Sequence, residues 1–375
     1  MRTNPLNMPD RKYNDGDAAP GRHGSTLPAV ERATIAISFV DAALQGVRAR
    51  GLDTGPLLEA VGIAPNLLLT PQARVPAARY AALWRLIART LDDEFFGCDS
   101  RRMKSGSFAL LCRGTVHCKT LRAAIERMLR YFDVFLDDLT LTLSERGRHA
   151  RLTIIEKRRD GRNPTFAHEA LLVMLHGTAC WLVNRRIPIL QAGFSYPEPA
   201  HSAEYRTMFS TRLSYEQPTT AIEFDASYLD LRVVQSESTA KEFLRLAPEN
   251  IIVKYKNARS LTARIRRRLR QLAPADWPDE AALADELHTS AASVRRKLNA
   301  EGQSYQRIKD DLRRDMAITY LSAARRSVMD IAHELGFAEP SAFHRAFKRW
   351  TGSSPAAYRK TGHSQAGASA VPTLK

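Results

Sequence analysis

Two small clusters of hydrogen-bond donors have helical spacing. The first is Arg295 and Arg296, preceded by Ala292 and Ser293; the second is His344 and Arg345, preceded by Pro340 and Ser341. Positions three and four apart share a helix face, so each set forms one surface if its segment is helical. A guanidinium donates two parallel hydrogen bonds to the major-groove edge of guanine, and small leading residues let the backbone approach the bases. The chemistry this points to is recognition without bond making. Signatures of bond-making chemistry are absent from the N-terminal half: there is no GxSxG, no HExxH and no Gly-rich phosphate loop.

The local sequence supplies the helices that such faces need. Over 279–302, Ala281, Ala284 and Leu287 are read as one inward face, His288-Thr289 as a break, and Ser290 as the N-cap of a helix Ala291–Ala300 stopped by Gly302. Val294 and Leu298 then face inward. The pattern recurs. Ser327–Leu335 reads as a short helix with Val328, Ile331, Ala332 and Leu335 inward, and residues 336–339 as a turn. Pro340–Thr351 reads as a second helix that buries Phe343 and Phe347 and shows Ser341, His344, Arg345 and Lys348. Tyr305–Ala323 is a long helix between the units. One such unit alone is most often an ordinary helical hairpin with a solvated basic face. Two in a basic segment favour insertion into successive major-groove segments, roughly 34 Å apart.

Charge agrees with this reading. The 375-residue chain carries a formal +16, and 259–360 holds twenty Lys/Arg against twelve Asp/Glu. Such an excess indicates a polyanionic partner. Cys98, Cys112, Cys118 and Cys180 include no CxxC pair and lie at the wrong spacing for structural zinc, even with His117 adjacent, so no metal is expected. No secretory h-region or membrane-length apolar run is visible, which places the chain in a reducing cytoplasm with no membrane partner.

Ahead of these helices, 1–25 reads as a disordered tail and 30–240 as one mixed α/β domain. Helices are expected from Ala33–Gly51, through 56–62, and over Ala77–Leu91. Alternating Leu139, Leu141 and Leu143, a turn, then Leu152 and Ile154 indicate a hairpin; Ile187–Phe194 and Ala221–Phe224 are further strands. Phe166–Val183 reads as a buried amphipathic helix on which His168 and Glu169 form a surface pair. Tyr205 and Asp225 read as lone polar residues. Residues 237–259 read as a polar helix, with 241–258 the linker, and 361–375 as a second disordered tail. The fold class is α+β: a mixed sensor domain plus an all-α domain with two helix-turn-helix units joined by a long helix.

The segment SVMDIAHELGFAEPSAFHRAFKRWTGSSPAAYR (Ser327–Arg359) resembles the signature of the AraC/XylS family of bacterial transcription regulators. The matching elements are Ile331-Ala332, Leu335-Gly336-Phe337, Ser341-x-Phe343-x-Arg345-x-Phe347, Gly352 and Pro355-x-x-Tyr358-Arg359. The family domain would cover 259–360. By resemblance, base contacts fall on Ala292, Ser293, Arg295 and Arg296, and on Pro340, Ser341, His344 and Arg345. Ala292 stands where many members carry a larger side chain, which limits direct readout there. Pro197–Tyr205, Phe209 and Tyr215–Phe224 are similar to the arabinose-binding-type sensor domain, whose members bind varied small molecules.

The resemblance implies a sequence-specific regulator, more often an activator, controlled by a small-molecule effector of unknown identity and using no cofactor. Its partners would be double-stranded promoter DNA and RNA polymerase, with a homodimer through the N-terminal domain open but unsupported by any heptad repeat. An enzyme with an appended DNA-binding domain lacks a nucleophile–base pairing. A ligand-free architectural protein would not need a sensor domain of ~210 residues, more than dimerisation requires.

Overall fold

The computed structural model describes residues 33–157, 164–249, 251, 261–301, 303–323 and 326–361. The two expected tails, Thr361 apart, and residues 250 and 252–258 of the expected linker lie outside them.

The chain opens with β1 (Thr34–Ala36), which pairs antiparallel with β2 (Arg74–Pro76), Ile35 opposite Val75. This corrects the expected helical start at Ala33: Thr34, Ile35 and Ala36 are extended because a partner strand lies about forty positions away. Helices α1 (Ile37–Ala43), α2 (Gln45–Ala49) and α3 (Gly55–Ala60) lie between the two strands, and α4 (Ala77–Leu91) and α5 (Ser107–Thr115) follow. Helix α6 (Leu121–Phe135) begins at a Thr120 cap and buries Leu121, Ala124, Ile125, Met128, Leu129 and Phe132, the stripe a 3.6-residue period dictates.

A five-stranded sheet in the order β3-β4-β7-β5-β6 forms the second layer. Strands β3 (Leu139–Arg146) and β4 (His149–Glu156) make the expected hairpin, with Leu139 and Leu141 buried on one strand and Ala150, Leu152 and Ile154 on the other. Gly147 takes a left-handed φ of 59° in the turn. After α7 (Thr165–Leu182), β5 (Gln191–Gly193) is much shorter than the expected 187–194 strand. Helix α8 (Ser202–Met208), β6 (Leu213–Ser214) and β7 (Thr220–Asp225) complete this part. All ladder pairs are antiparallel except β5 with β6.

Helix α7 differs from expectation in kind. It is buried on nearly every side, from Phe166 to Leu182, and so has no solvent face. His168 is fully buried and Glu169 is 2% exposed, so the expected surface pair does not exist. Asp225 is not alone either: its carboxylate accepts from the Ser227 amide at 2.9 Å and caps the following turn.

Helix α9 (Glu237–Leu246) ends before Pro248, short of the expected polar helix to 259, whose remainder is largely outside the described residues. The C-terminal helices are α10 (Leu261–Arg270), α11 (Glu280–Glu286), α12 (Ala291–Ala300), α13 (Tyr305–Ser322), α14 (Val328–Glu334), α15 (Pro340–Thr351) and α16 (Pro355–Thr361). Side-chain caps start most of them. Asp279 accepts from the Ala282 amide, Ser290 from Ser293, Ser304 from Arg307, and Ser327 from Asp330 in a reciprocal capping box. In α11 the inward residues are Leu283 and Ala284; Ala281, expected to face inward, is exposed. Leu283 is the larger apolar side chain, and it takes the core position.

Two cores result. Ile265, Leu269, Leu283, Val294 and Leu298 form a small cluster with Tyr305, Ile308 and Leu312 from the first half of α13. The second half of α13 contributes Met316, Ala317, Ile318 and Leu321 to a different cluster. That cluster holds Ile331, Phe343 and Phe347 and runs without a break into the core of the N-terminal part.

Candidate functional site

The outer faces of α12 and α15 are built as the sequence indicated. Val294 and Leu298 anchor α12, leaving Ala292, Arg295 and Arg296 exposed and Ser293 partly so. Phe343, Ala346 and Phe347 anchor α15, leaving Pro340, Ser341, His344, Arg345 and Lys348 exposed. Pro340 occupies the first helical turn, where its missing N–H costs nothing, and Gly352 closes the helix at φ 76°.

The two faces differ in how their donors are engaged. Arg295 donates from Nε and Nη2 to both carboxylate oxygens of Glu280, each at 2.9 Å. This occupies the fork that would read a guanine. Ser293 Oγ lies 3.1 Å from Ser290 Oγ within the N-cap. On α15, Arg345 forms no ion pair among the described residues, and His344 makes only an edge contact with the Phe343 ring. The second face therefore presents its donors without an internal competitor.

A second feature lies in the N-terminal part. A partly enclosed cavity sits among β1, α1, α4, α7 and α8, walled by Phe39, Tyr80, Trp84, Phe166, Leu172 and Met208 and bordered by Glu169, His176 and Glu204. Its solvent-reachable volume is about 80 Å³. Glu169 Oε1 receives two donors, His201 Nε2 at 2.6 Å and the Tyr205 hydroxyl. Tyr205, expected to be a lone polar residue, also shares a 3.0 Å hydrogen bond with Tyr196. Burial, and then the neighbouring Glu169 carboxylate, push the Tyr205 hydroxyl above the usual phenol range. Burial brings His176 down to about 4, helped by nearby Arg186; its Nε2 donates to the Ile187 carbonyl at 2.8 Å.

The cavity wall is tied to the C-terminal helices by a chain of polar contacts. Arg74 Nη1 donates to Glu204 Oε1 at 2.5 Å and Nη2 to Oε2 at 3.2 Å. Arg74 Nε donates to Thr34 Oγ1 at 2.8 Å, and Thr34 Oγ1 donates to Asp315 Oδ1 at 2.5 Å. Asp315 belongs to α13. The Tyr358 hydroxyl of α16 donates to the Arg74 carbonyl, and Arg79 Nη2 donates to the Ser322 carbonyl at the end of α13 at 2.9 Å. Burial opposes the Arg74 charge, but Glu204, with Asp315 and Asp311 behind it, holds the guanidinium above its ordinary range.

Sequence reasoning did not find Arg74, Thr34, Glu204 or Asp315. One signal was available. The apolar run of α7 carries one carboxylate, Glu169, and a buried carboxylate must find partners.

Comparison with known proteins accounts for both halves. Residues 51–233 match the arabinose-binding domain of AraC transcription regulators, N-terminal, and 283–361 match a helix-turn-helix domain. The ornithine utilization regulator of Pseudomonas aeruginosa is 30% identical over 329 residues, covering 87% of this chain and 96% of the relative. The chain belongs to the AraC family of transcriptional regulators. The regulator VirS of Mycobacterium tuberculosis is 24% identical over 84% of this chain and 93% of its own length. A solved structure of the transcriptional regulator CdpR from Pseudomonas aeruginosa aligns over 86% of this chain and 98% of its own, with 17% identity and a TM-score of 0.29. This regulator is thus a DNA-binding protein with a ligand-binding type of N-terminal domain, not an enzyme. Among its described residues no helix is long and apolar enough to cross a membrane.

Proposed function

We propose that this regulator reads two successive major-groove segments of promoter DNA with α12 and α15, and that a small molecule in the N-terminal cavity sets its affinity for them. Activation through contact with RNA polymerase is the direction we assign. Ala292, Ser293, Arg295 and Arg296 meet the first segment; Pro340, Ser341, His344 and Arg345 meet the second. The observation that carries ligand control is Glu204. It borders the cavity and, through Arg74 and Thr34, is bonded to Asp315 in the helix joining the two units. An effector changes DNA affinity only by binding one state better than the other, and a coupling of about 1–3 kcal/mol gives roughly 5–150-fold.

The Arg345→Ala variant tests base readout. We expect a loss of about 1–3 kcal/mol in operator binding and relaxed preference at one base pair, measured by titrating a set of single-substitution operators. Equal weakening on every sequence, with a shallower salt dependence, would instead make Arg345 a phosphate contact.

The fragment 259–360 tests the proposed domain boundary. We expect it to bind DNA with a steep salt dependence but to unfold at lower temperature than the full chain. The core around Phe343 and Phe347 loses its continuation into the N-terminal part. A folded fragment that leaves operator DNA unbound at low salt would sink the assignment.

A further inference from the structure

We propose that the cavity takes a small organic cation, an alkylammonium group on a compact apolar body, with its nitrogen against Glu169 Oε2. This rests on the reading of the cavity as the effector site and adds the class of ligand.

Glu169 is 2% exposed and borders the cavity. Its two oxygens are unequally served. His201 and Tyr205 both reach Oε1, while Oε2 has no hydrogen-bond partner among the described residues and almost no accessible surface, so a ligand meets it only as the Glu169 side chain turns toward the cavity. A carboxylate oxygen is only an acceptor, and one buried without a donor is costly. The group that completes it must bring an N–H or O–H, and a cationic donor gains roughly twice what a neutral one does.

The other cavity carboxylate, Glu204, is held at both oxygens by Arg74 and does not compete for the ligand. Among the described residues no lysine or arginine lines the cavity, so an anionic ligand would meet the Glu169 carboxylate without a facing cation there. The rings of Phe39, Tyr80, Trp84 and Phe166 supply faces that attract a cation and cover an alkyl chain. At roughly 10–15 Å³ of such space per water-sized sphere, the volume admits a ligand on the order of six heavy atoms.

The test uses the full chain and three probes with one carbon skeleton: n-pentylamine, 1-pentanol and pentanoate. Binding is followed by titration calorimetry, and promoter DNA affinity is measured with and without each probe. We expect n-pentylamine to bind at least tenfold more tightly than 1-pentanol, and pentanoate to bind most weakly. In Glu169→Gln, which keeps the side-chain shape, the amine should lose at least tenfold and fall level with the alcohol. The ranking on the unaltered chain stands by itself if that variant folds poorly. Equal binding of amine and alcohol, preference for pentanoate, or no binding by any probe overturns the cation assignment. Pentanoate binding that shifts DNA affinity would leave ligand control intact and remove only the cation. Amine binding that leaves DNA affinity unchanged would support the cation and remove ligand control.

Discussion

Replacing Arg74 by Met is expected to lower the stability of the full chain by about 3–5 kcal/mol, the usual cost of removing one partner from a buried ion pair. The Arg74 side chain is 11% exposed and that of its partner Glu204 29%. The same guanidinium also offsets Asp315 and Asp311 across the junction with α13. Met keeps most of the volume and removes the charge and four hydrogen bonds. Urea midpoints at constant slope measure the loss. The pair Arg74→Met with Glu204→Gln should recover part of it, because the second change removes the carboxylate left facing the apolar wall. If Arg74→Met stays within about 0.5 kcal/mol of the parent, the range of a neutral surface change, the contact is not formed in solution.

The second large effect is on acid stability. Burial brings both His168 and His176 from the ordinary 6.5 down to about 4. Between those values the unfolded chain takes up protons that the folded chain refuses. Stability therefore falls as pH drops from 6.5 toward 4, and it is regained as pH rises. A shift of this size corresponds to about 3 kcal/mol per histidine at most. Arg186 reinforces the effect at His176. The slope is best read between pH 6.5 and 5, above the range where ordinary carboxylates titrate. Thermal melts of His176→Gln should show a shallower dependence in that window. An unchanged slope in this variant would remove His176 from the account.

The C-terminal helices were legible because their determinants are local. Ser290, Ser327 and Gly352 mark ends by hydrogen bonds and backbone conformations reaching only a few residues, and Phe343 and Phe347 mark a face by their own spacing. The misreading of Ala281 for Leu283 shows the limit. Small residues satisfy a helical period without saying which side the neighbouring helix will cover. The N-terminal site was illegible for the opposite reason. Thr34 meets Asp315 across 281 positions, and no period records such a meeting. Glu169 was misplaced because amphipathicity is the usual guide to which side of a helix is wet, and α7 has no wet side.

The division of α13 between two cores makes it a lever. Its far end is seated with the first unit, while Asp315 past its middle and the backbone of Ser322 at its other end fasten it to the N-terminal part. At 1.5 Å per residue, its 18 residues reach about 27 Å. A tilt of ten degrees about Asp315, roughly 15 Å from the far end, would carry that end about 3 Å, close to the ~3.4 Å between stacked base pairs. A change at the Arg74 contact would thus reach the far end of the helix enlarged by the length of the arm rather than damped.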